Sequence, residues 1–343
     1  MISKIRRPFN LQNILLSYGF VIIFALLFIF FSLTTKNFLT IDNLLTILVS
    51  AAPYILMATG LATVIMTGNI DISVGAILFL AMVSGNMLML TRSLNPWIAI
   101  PLMFAVGLAL GALNGFIITV LKINPLITTL GMLFGVRGLT LYITHEQMMT
   151  LAPVLLNFGK LPYFRELVIL IALVFLVLMH ILITRTPFGR HVMAVGNSPE
   201  IAARLGVRVK TTIFITYVLS GLMVTIGGLF QLMQVSVIVS REGQGYEFTL
   251  IAAAVIGGIS LFGGEGNMIP GLILGGTTLV MAENGLTQLG VTPYLYPLVR
   301  GGIIFLAMYA DSLKSSVSKT MAVISEVAEK FLPVVNPGPP GEK

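Results

Sequence analysis

The sequence predicts an all-α polytopic membrane protein with about ten transmembrane helices. Of its 343 residues 57% are hydrophobic and only 10% charged, with a mean hydropathy of +0.99. Soluble domains are about 45–50% apolar and about 25% charged, so only a bilayer offers this chain a matching solvent. The second observation is periodic: apolar runs near the 20 or so residues a spanning helix needs recur along the chain, bounded by charge, Pro, Gly or Asn. The third is charge placement. The net charge of +7 is distributed as a membrane orientation signal rather than as a nucleic-acid surface.

The runs are approximately Leu16 to Leu33, Leu44 to Met66, Ile72 to Leu90, Pro96 to Leu121 and Leu126 to Ile143. Leu167 to Thr184, Thr212 to Val235, Phe248 to Phe262, Ile269 to Leu286 and Tyr294 to Ala310 follow. The first begins after Lys4, Arg6 and Arg7, but no small-residue cleavage site precedes Lys36, so it is expected to be retained. The eighth is short and meets Gly263-Gly264-Glu265-Gly266, which leaves a full span, a half-helix and a re-entrant pair open.

With the N-terminus inside, thirteen of the 20 Lys and Arg fall on the cytoplasmic side, five of them between Arg185 and Lys210. Outside are Lys36, Arg92, Lys160, Arg165 and Arg241, while Arg137 and Arg300 fall within spans. Both termini are then cytoplasmic. The expected organisation is a cytoplasmic segment 1–15, a transmembrane domain 16–311 with a cytoplasmic loop 185–210, and a cytoplasmic tail 312–343. In the tail, Ile324, Val327, Ala328, Phe331 and Leu332 keep helical spacing for an interfacial or docking helix. The closing stretch from Asn336 can bury nothing and is expected to be disordered.

Asn114-Gly115 ends the fourth span before Pro125, and Asn284-Gly285 ends the ninth before Pro293, 170 residues and five helices later. An odd number of helices inverts the copy, so the echo predicts an inverted repeat with the first and sixth spans outside it. Asn-Gly also punctuates helix ends without any repeat.

Intramembrane charge is costly and marks function by default. The ionisable residues within or at the edges of spans are Asp71, Arg137, Glu247, Glu283 and Arg300. Arg137 suits pairing or a polar substrate, with snorkelling the equal alternative; Glu283 is expected to reach interfacial water at a helix end. The histidines 145, 180 and 191 lie at or outside span ends, which argues against proton coupling. Without cysteine there is no disulfide, thiolate metal site or cysteine nucleophile, and three scattered histidines make no catalytic or metal constellation, so neither an enzyme nor a cofactor is expected. No nucleotide-binding glycine loop, Gly-x-Ser-x-Gly or His-Glu-x-x-His occurs. If ATP powers this protein, another chain hydrolyses it.

Three segments stand out. In 185–210, Asn197-Ser198 supplies a cap, Pro199 a first turn and Glu200 to Leu205 a short helix ended by Gly206. Lying parallel to the membrane, it must bury an apolar face on a partner protein or on the chain's own helix ends. Gly243 to Phe248, with Gly257-Gly258 and the later glycines, permits broken helices. Thr67 to Gly75 interrupts two apolar runs with Asn, Asp and Ser, where Asp71 and Ser73 either cap the third helix or meet substrate.

Together TGNIDISVG, KINPLITTLG with Arg137-Gly138, FGRHVMAVGNSPEIAARLGVRV and GQGYEFTLIAAAVIGGISLFGGEGNMIPG resemble permease subunits of bacterial ATP-binding-cassette (ABC) importers of the ribose, galactose and autoinducer-2 type. The likeness runs in order from about Thr40 to Asp311. It implies a multi-pass protein of the bacterial inner membrane with a core like that of vitamin-B12-type importers. It also implies two permease copies, identical or related, an external solute-binding protein and a cytoplasmic ATPase with two nucleotide-binding halves. The counterpart of Phe188 to Val209 docks on that ATPase, which makes Phe188, Gly189, Gly196, Asn197, Pro199, Glu200, Ala203 and Gly206 the expected coupling residues. Asn69, Asp71, Asn114, Asn124, Thr128 and Glu247 are the expected path residues for a small sugar. The chain departs from the usual pattern at Asn69, at Phe248-Thr249 in place of Leu-Asp, and at Pro270-Gly271 in place of Gly-Thr. A self-contained secondary transporter is the rival expectation.

Overall fold

The computed structural model describes residues 11–303 together with 305, 306 and 309. The expected tail helix, the Asn336 segment and most of the N-terminal segment lie outside the described residues. In order come α1 (Leu11–Thr34), α2 (Ile41–Met66), α3 (Val74–Arg92), α4 (Pro96–Thr119) and α5 (Pro125–Thr144). They are followed by β1 (Met149–Thr150), α6 (Pro153–Gly159), α7 (Phe164–Arg185), α8 (Pro187–Asn197), α9 (Pro199–Arg204) and α10 (Val209–Val235). Last come β2 (Val237–Ile238), α11 (Tyr246–Ile256), α12 (Gly271–Gln288) and a helical stretch 296–303. Among the described residues, α2, α3, α4, α5, α7 and α10 are long and apolar enough to cross a membrane.

Local chemistry sets the boundaries. Asn95 and Asn124 accept from the backbone N–H of Trp97 and Leu126, each at 2.9 Å, and Pro96 and Pro125 occupy the first turns, where a missing N–H costs nothing. Pro53 lies inside α2 and cannot bond the Val49 carbonyl one turn back. Gln234 on α10 donates to that carbonyl at 3.0 Å, so the freed group is satisfied inside the protein.

The centre of the bundle is the α2–α10 pair, in which residues 55–66 of α2 and most of 216–233 of α10 are buried. Small residues allow the close approach. A side chain at Gly60 would meet Met223 and Ser220, and one at Gly227 would meet Met57 and the Pro53 carbonyl. Around this pair the packing is exchanged: α4 packs on α10 as α12 packs on α2, and α3 borders α10 as α11 borders α2. Gly107 of α4 faces Thr225 of α10, and Gly276 of α12 faces Ile55 of α2.

One end of the bundle carries α8 and α9; the other carries the antiparallel β1–β2 pair, Met149 opposite Ile238. Asn86 of α3 ties to the latter end, donating to the Thr150 carbonyl at 3.1 Å and accepting from Ala152 N–H at 2.8 Å. The eighth apolar run resolves into α11, whose 11 residues cover about 16 Å. That is about half a hydrocarbon core, and the chain then continues to 270 without helix.

Candidate functional site

Two regions carry the chemistry the sequence singled out. The first is the α8–α9 end. Gly189 lets α8 fold back on the Ile183 backbone, and Val192 and Val195 are buried against the bundle, with Phe188 half-buried beside them. Gly196 packs between the Met66 carbonyl and Gly264 N, and Asn197 donates to the Gly264 carbonyl at 3.3 Å. Ser198 then accepts from Ile201 N–H at 3.3 Å and Pro199 opens α9. Only Ala202 of α9 is buried. Glu200, Ala203, Arg204 and Gly206 are exposed, as are Ile201 at 58% and Leu205 at 76%. Gly206 ends the unit in the left-handed region, φ +84°. A one-turn helix and its C-terminal residue thus present two large apolar side chains that the rest of the described residues do not cover.

The second region is a crossing of two broken helices. From Met66 the segment 67–73 runs back along α10, where the Tyr217 hydroxyl donates to the Ile70 carbonyl at 3.1 Å. The Asp71 carboxylate accepts from Ser73 N–H (3.0 Å), Ser73 Oγ (2.6 Å) and Ser220 Oγ (3.4 Å). Asn114 donates to Ser73 Oγ at 2.8 Å. The whole network is buried. Because Asp71 lies at Ser220 and Leu78 at Gly228, α3 begins beside the middle of α10 and leaves for the β1–β2 end. The second linker, 236–245, descends from β2, and Tyr246 opens α11 against Tyr54, at the middle of α2, with ring centroids 5.4 Å apart. From there α11 and its extension reach Met66 and Gly196 at the α8–α9 end. The two half-helices therefore start side by side and run to opposite ends. Gly75 and Gly243 touch at the crossing; a Cβ on either would strike the other's carbonyl.

Charge gathers at this crossing. Glu247 is 5% exposed, and its Oε2 lies beside Gly75 without a hydrogen-bond partner. The Arg137 guanidinium stands 5.9 Å over the Phe79 ring and donates from Nη1 to the Glu242 carbonyl at 3.2 Å, while its buried Nη2 has no partner. Arg137 therefore points into the bundle rather than snorkelling. Gln231 donates to the hydroxyls of Tyr54 (3.2 Å) and Tyr246 (2.5 Å), and Tyr246 donates to Glu242 at 3.4 Å.

The expected path residues divide into three places. Asp71 and Asn114 share the buried network, in which Asn114 Oδ1 has no partner, and Glu247 stands beside Gly75 at the crossing. Asn69 (donating to Thr67 Oγ1 at 2.8 Å), Asn124 (capping α5) and Thr128 (buried, its Oγ1 unbonded) lie outside these two networks. Glu283 does not stand free at a helix end: it is paired with Arg300, which also donates to Thr249 Oγ1 at 2.7 Å. Glu242, Tyr54, Gln231 and Ser220 were not singled out from sequence; the Gln231–Gln234 pair in an apolar helix was the available signal. Asn284 donates to Asn43 near the start of α2, and Gly115 beside Asn114 abuts Phe214 near the start of α10, so the two Asn-Gly pairs hold corresponding places. A Cβ added at Gly131, Gly135 or Gly138 on α5, or at Gly301 or Gly302, would meet nothing within 4 Å among the described residues. Among the described residues no three His, Asp or Glu side chains converge as metal ligands.

The profile of the family described as "branched-chain amino acid transport system / permease component" matches residues 43–308. The D-allose transport system permease protein AlsC of Escherichia coli K12 is 32% identical over 318 residues, 90% of this chain and 96% of its own. The ribose import permease protein RbsC of the same strain is 34% identical over 297 residues, 82% and 89% of the two chains. The L-arabinose transport system permease protein AraH, also from that strain, is 32% identical over 324 residues, 92% and 96%. No solved structure matches the chain. Bounded by residues 43 and 308, the match takes in the α2–α10 core, both broken helices and the α8–α9 unit, and the chain belongs to this family of permease components.

Proposed function

We propose that the chain is the membrane subunit of an ABC importer that carries a monosaccharide into the cytoplasm of a bacterium. The relatives named for allose, ribose and arabinose support the substrate class. The observation that carries the rest is α9, which leaves Ile201 and Leu205 bare at one end of the bundle while its neighbour α8 is wedged into the core. Exposed apolar side chains on a one-turn helix fit a protein partner, here an ATPase with two nucleotide-binding halves. The α8–α9 end is then cytoplasmic, as are both termini, and the solute-binding protein meets the β1–β2 end. Ten passages, with α11 and its extension counted as one, satisfy this orientation.

The exchanged packing around α2 and α10, with half-helices running oppositely from Gly75 and Gly243, supports an inverted repeat of the vitamin-B12-importer kind. A second permease, identical or related, stands against the open glycine faces of α5 and 301–302. The sugar passes along α5, with Asn69, Asn124 and Thr128 at the inner part and Glu247 with Arg137 at the crossing; Asp71 and Asn114 hold the linker that shapes it. The test is a pull-down of the intact chain from native membranes beside Glu200→Arg. An ATPase that co-purifies with the parent and is lost, together with uptake, in the variant is the expected result. A chain that comes down alone and takes up sugar equally well in both forms refutes the proposal.

A further inference from the structure

The contact between α8 and the rest of the chain is made of backbone. Gly196 packs against the Met66 carbonyl and Gly264 N; Gly263 packs against Gly68 and Gly196; Gly68 lies under the carbonyls of Phe262 and Gly196. Gly264 N–H donates to the Met66 carbonyl at 2.9 Å, and Asn197 donates to the Gly264 carbonyl at 3.3 Å. Three chain segments meet here with hardly a side chain between them. One is the end of α8. The second is 66–68, which continues through Asp71 into α3. The third is 262–264, which follows α11.

Side chains absorb small displacements by changing rotamer; backbone packed on backbone does not. A shift of α8 is therefore passed on rather than taken up locally. Because each of the other two segments belongs to one of the broken helices, a single displacement reaches both half-helices that cross at Gly75 and Gly243. Rigid transfer between two discretely packed elements is the physical requirement for coupling distant sites.

We infer that the Gly68–Gly196–Gly263–Gly264 junction is the joint that transmits movement of the docking unit to both broken helices, with Gly263 and Gly264 as its positioning residues. This rests on the docking role proposed above for α9, and it adds a place where transport is disconnected from docking.

The experiment uses the full chain with its ATPase and binding protein in native membranes. Radiolabelled ribose, allose, galactose and arabinose serve as the panel from which the transported sugar is taken. Gly263→Ala and Gly264→Ala push a Cβ into Gly68 and into Asn197 and add left-handed strain, since φ is +81° and +74°. Gly68→Ala, whose nearest neighbour is at 3.6 Å, is the milder version at the same joint. Gly290→Ala, with φ +73° and an added Cβ that meets nothing within 4 Å among the described residues, carries the same strain away from the joint and is the control. The chain has no cysteine, so spin labels at Leu48→Cys on α2 and Phe248→Cys on α11, both exposed, report the half-helix directly.

The expected result is that both joint variants still co-purify with the ATPase, that uptake falls about tenfold, and that the label distance stops responding to ATP with vanadate. Gly68→Ala should fall between them and the parent, and Gly290→Ala should match the parent. Normal uptake in Gly263→Ala and Gly264→Ala, a distance response that persists while uptake is lost, or an equal defect in Gly290→Ala overturns the inference. Loss of the ATPase from these two variants overturns it as well, because the glycines would then shape docking. Retention of the ATPase by Glu200→Arg refutes the docking role instead, so the two failures are told apart.

Discussion

Asp71 is the carboxylate whose role is decided by replacing its charge and its hydrogen bonds separately. In Asp71→Asn the amide oxygen can take the place of Oδ1 and accept from Ser73 N–H and Oγ, now at 3.0 and 2.6 Å. The new NH2 then faces Ser220 Oγ, which can accept. The substitution keeps the partners and removes only charge. In Asp71→Ala the Ser73 N–H and hydroxyl lose their acceptor in a buried site, as does the Ser220 hydroxyl at its longer 3.4 Å; the two Ser73 donors carry the shorter bonds. Each unsatisfied buried donor costs about 1–3 kcal/mol, so the pair costs about 3 kcal/mol at the lower to middle part of that range. Hydrogen bonds inside membrane proteins are worth somewhat less than this, which favours the lower figure. Thermal unfolding in detergent should show Asp71→Ala lowered by roughly 6 °C and Asp71→Asn within about 2 °C of the parent. Uptake of the transported sugar should follow the same order, with Asp71→Asn near the parent. A stable Asp71→Asn that transports nothing would refute the reasoning, since the charge itself would then act on the solute.

Three further outcomes follow from packing and charge. Gly107→Val forces side-chain atoms into Thr225 Oγ1 and the Gly221 carbonyl and should destabilise the chain by about 1–3 kcal/mol in the same melting assay. At Gly135 an added Cβ meets nothing within 4 Å among the described residues, so Gly135→Leu should melt with the parent yet weaken cross-linking between permease copies. For Arg300 and Glu283, whose side chains are 22% and 30% exposed, a double-mutant cycle with Arg300→Met and Glu283→Gln should give a coupling of about 1 kcal/mol, and an independent pair would show none.

Most of the fold was legible because a membrane leaves the backbone few options: it must bond within its own segment, and an apolar run of sufficient length is a helix. Boundaries were sharpest where a side chain does the capping, as at Asn95-Pro96 and Asn124-Pro125. The exception is instructive. The eighth run stays apolar to Phe262, but its helix ends at Ile256. Ile259 and Met268 lie in the following non-helical stretch and are fully buried. Hydropathy measures removal from water, and buried coil inside protein satisfies it as well as helix does. Helix α8 was missed for the opposite reason: Gly189 and Gly196 weaken it as a local helix, and both are there for backbone contacts made by distant segments.

The site was legible in its residue types and not in its pairings. Asp71, Arg137 and Glu247 are visible as charges in apolar surroundings, but which of them is satisfied depends on neighbours 40 to 150 positions away, such as Asn114 and Ser220 for the Asp71 network. The Asn-Gly echo suggested two copies of one unit; α4 packs on α10 and α12 on α2, an arrangement the proposed repeat accommodates. The chemistry at the two breaks is not equivalent. In the first, both Asp71 oxygens accept hydrogen bonds and the atom left unbonded is a neutral one, Asn114 Oδ1; in the second, a Glu247 oxygen and an Arg137 nitrogen are unbonded. Closing both breaks would freeze the crossing, and leaving both open would bury uncompensated charge twice at a cost the fold must offset elsewhere. One break with its carboxylate fully bonded and one with a free carboxylate oxygen give a crossing that is anchored on the α3 side and, among the described residues, leaves Glu247 Oε2 and Arg137 Nη2 unbonded near the glycines where the two half-helices touch.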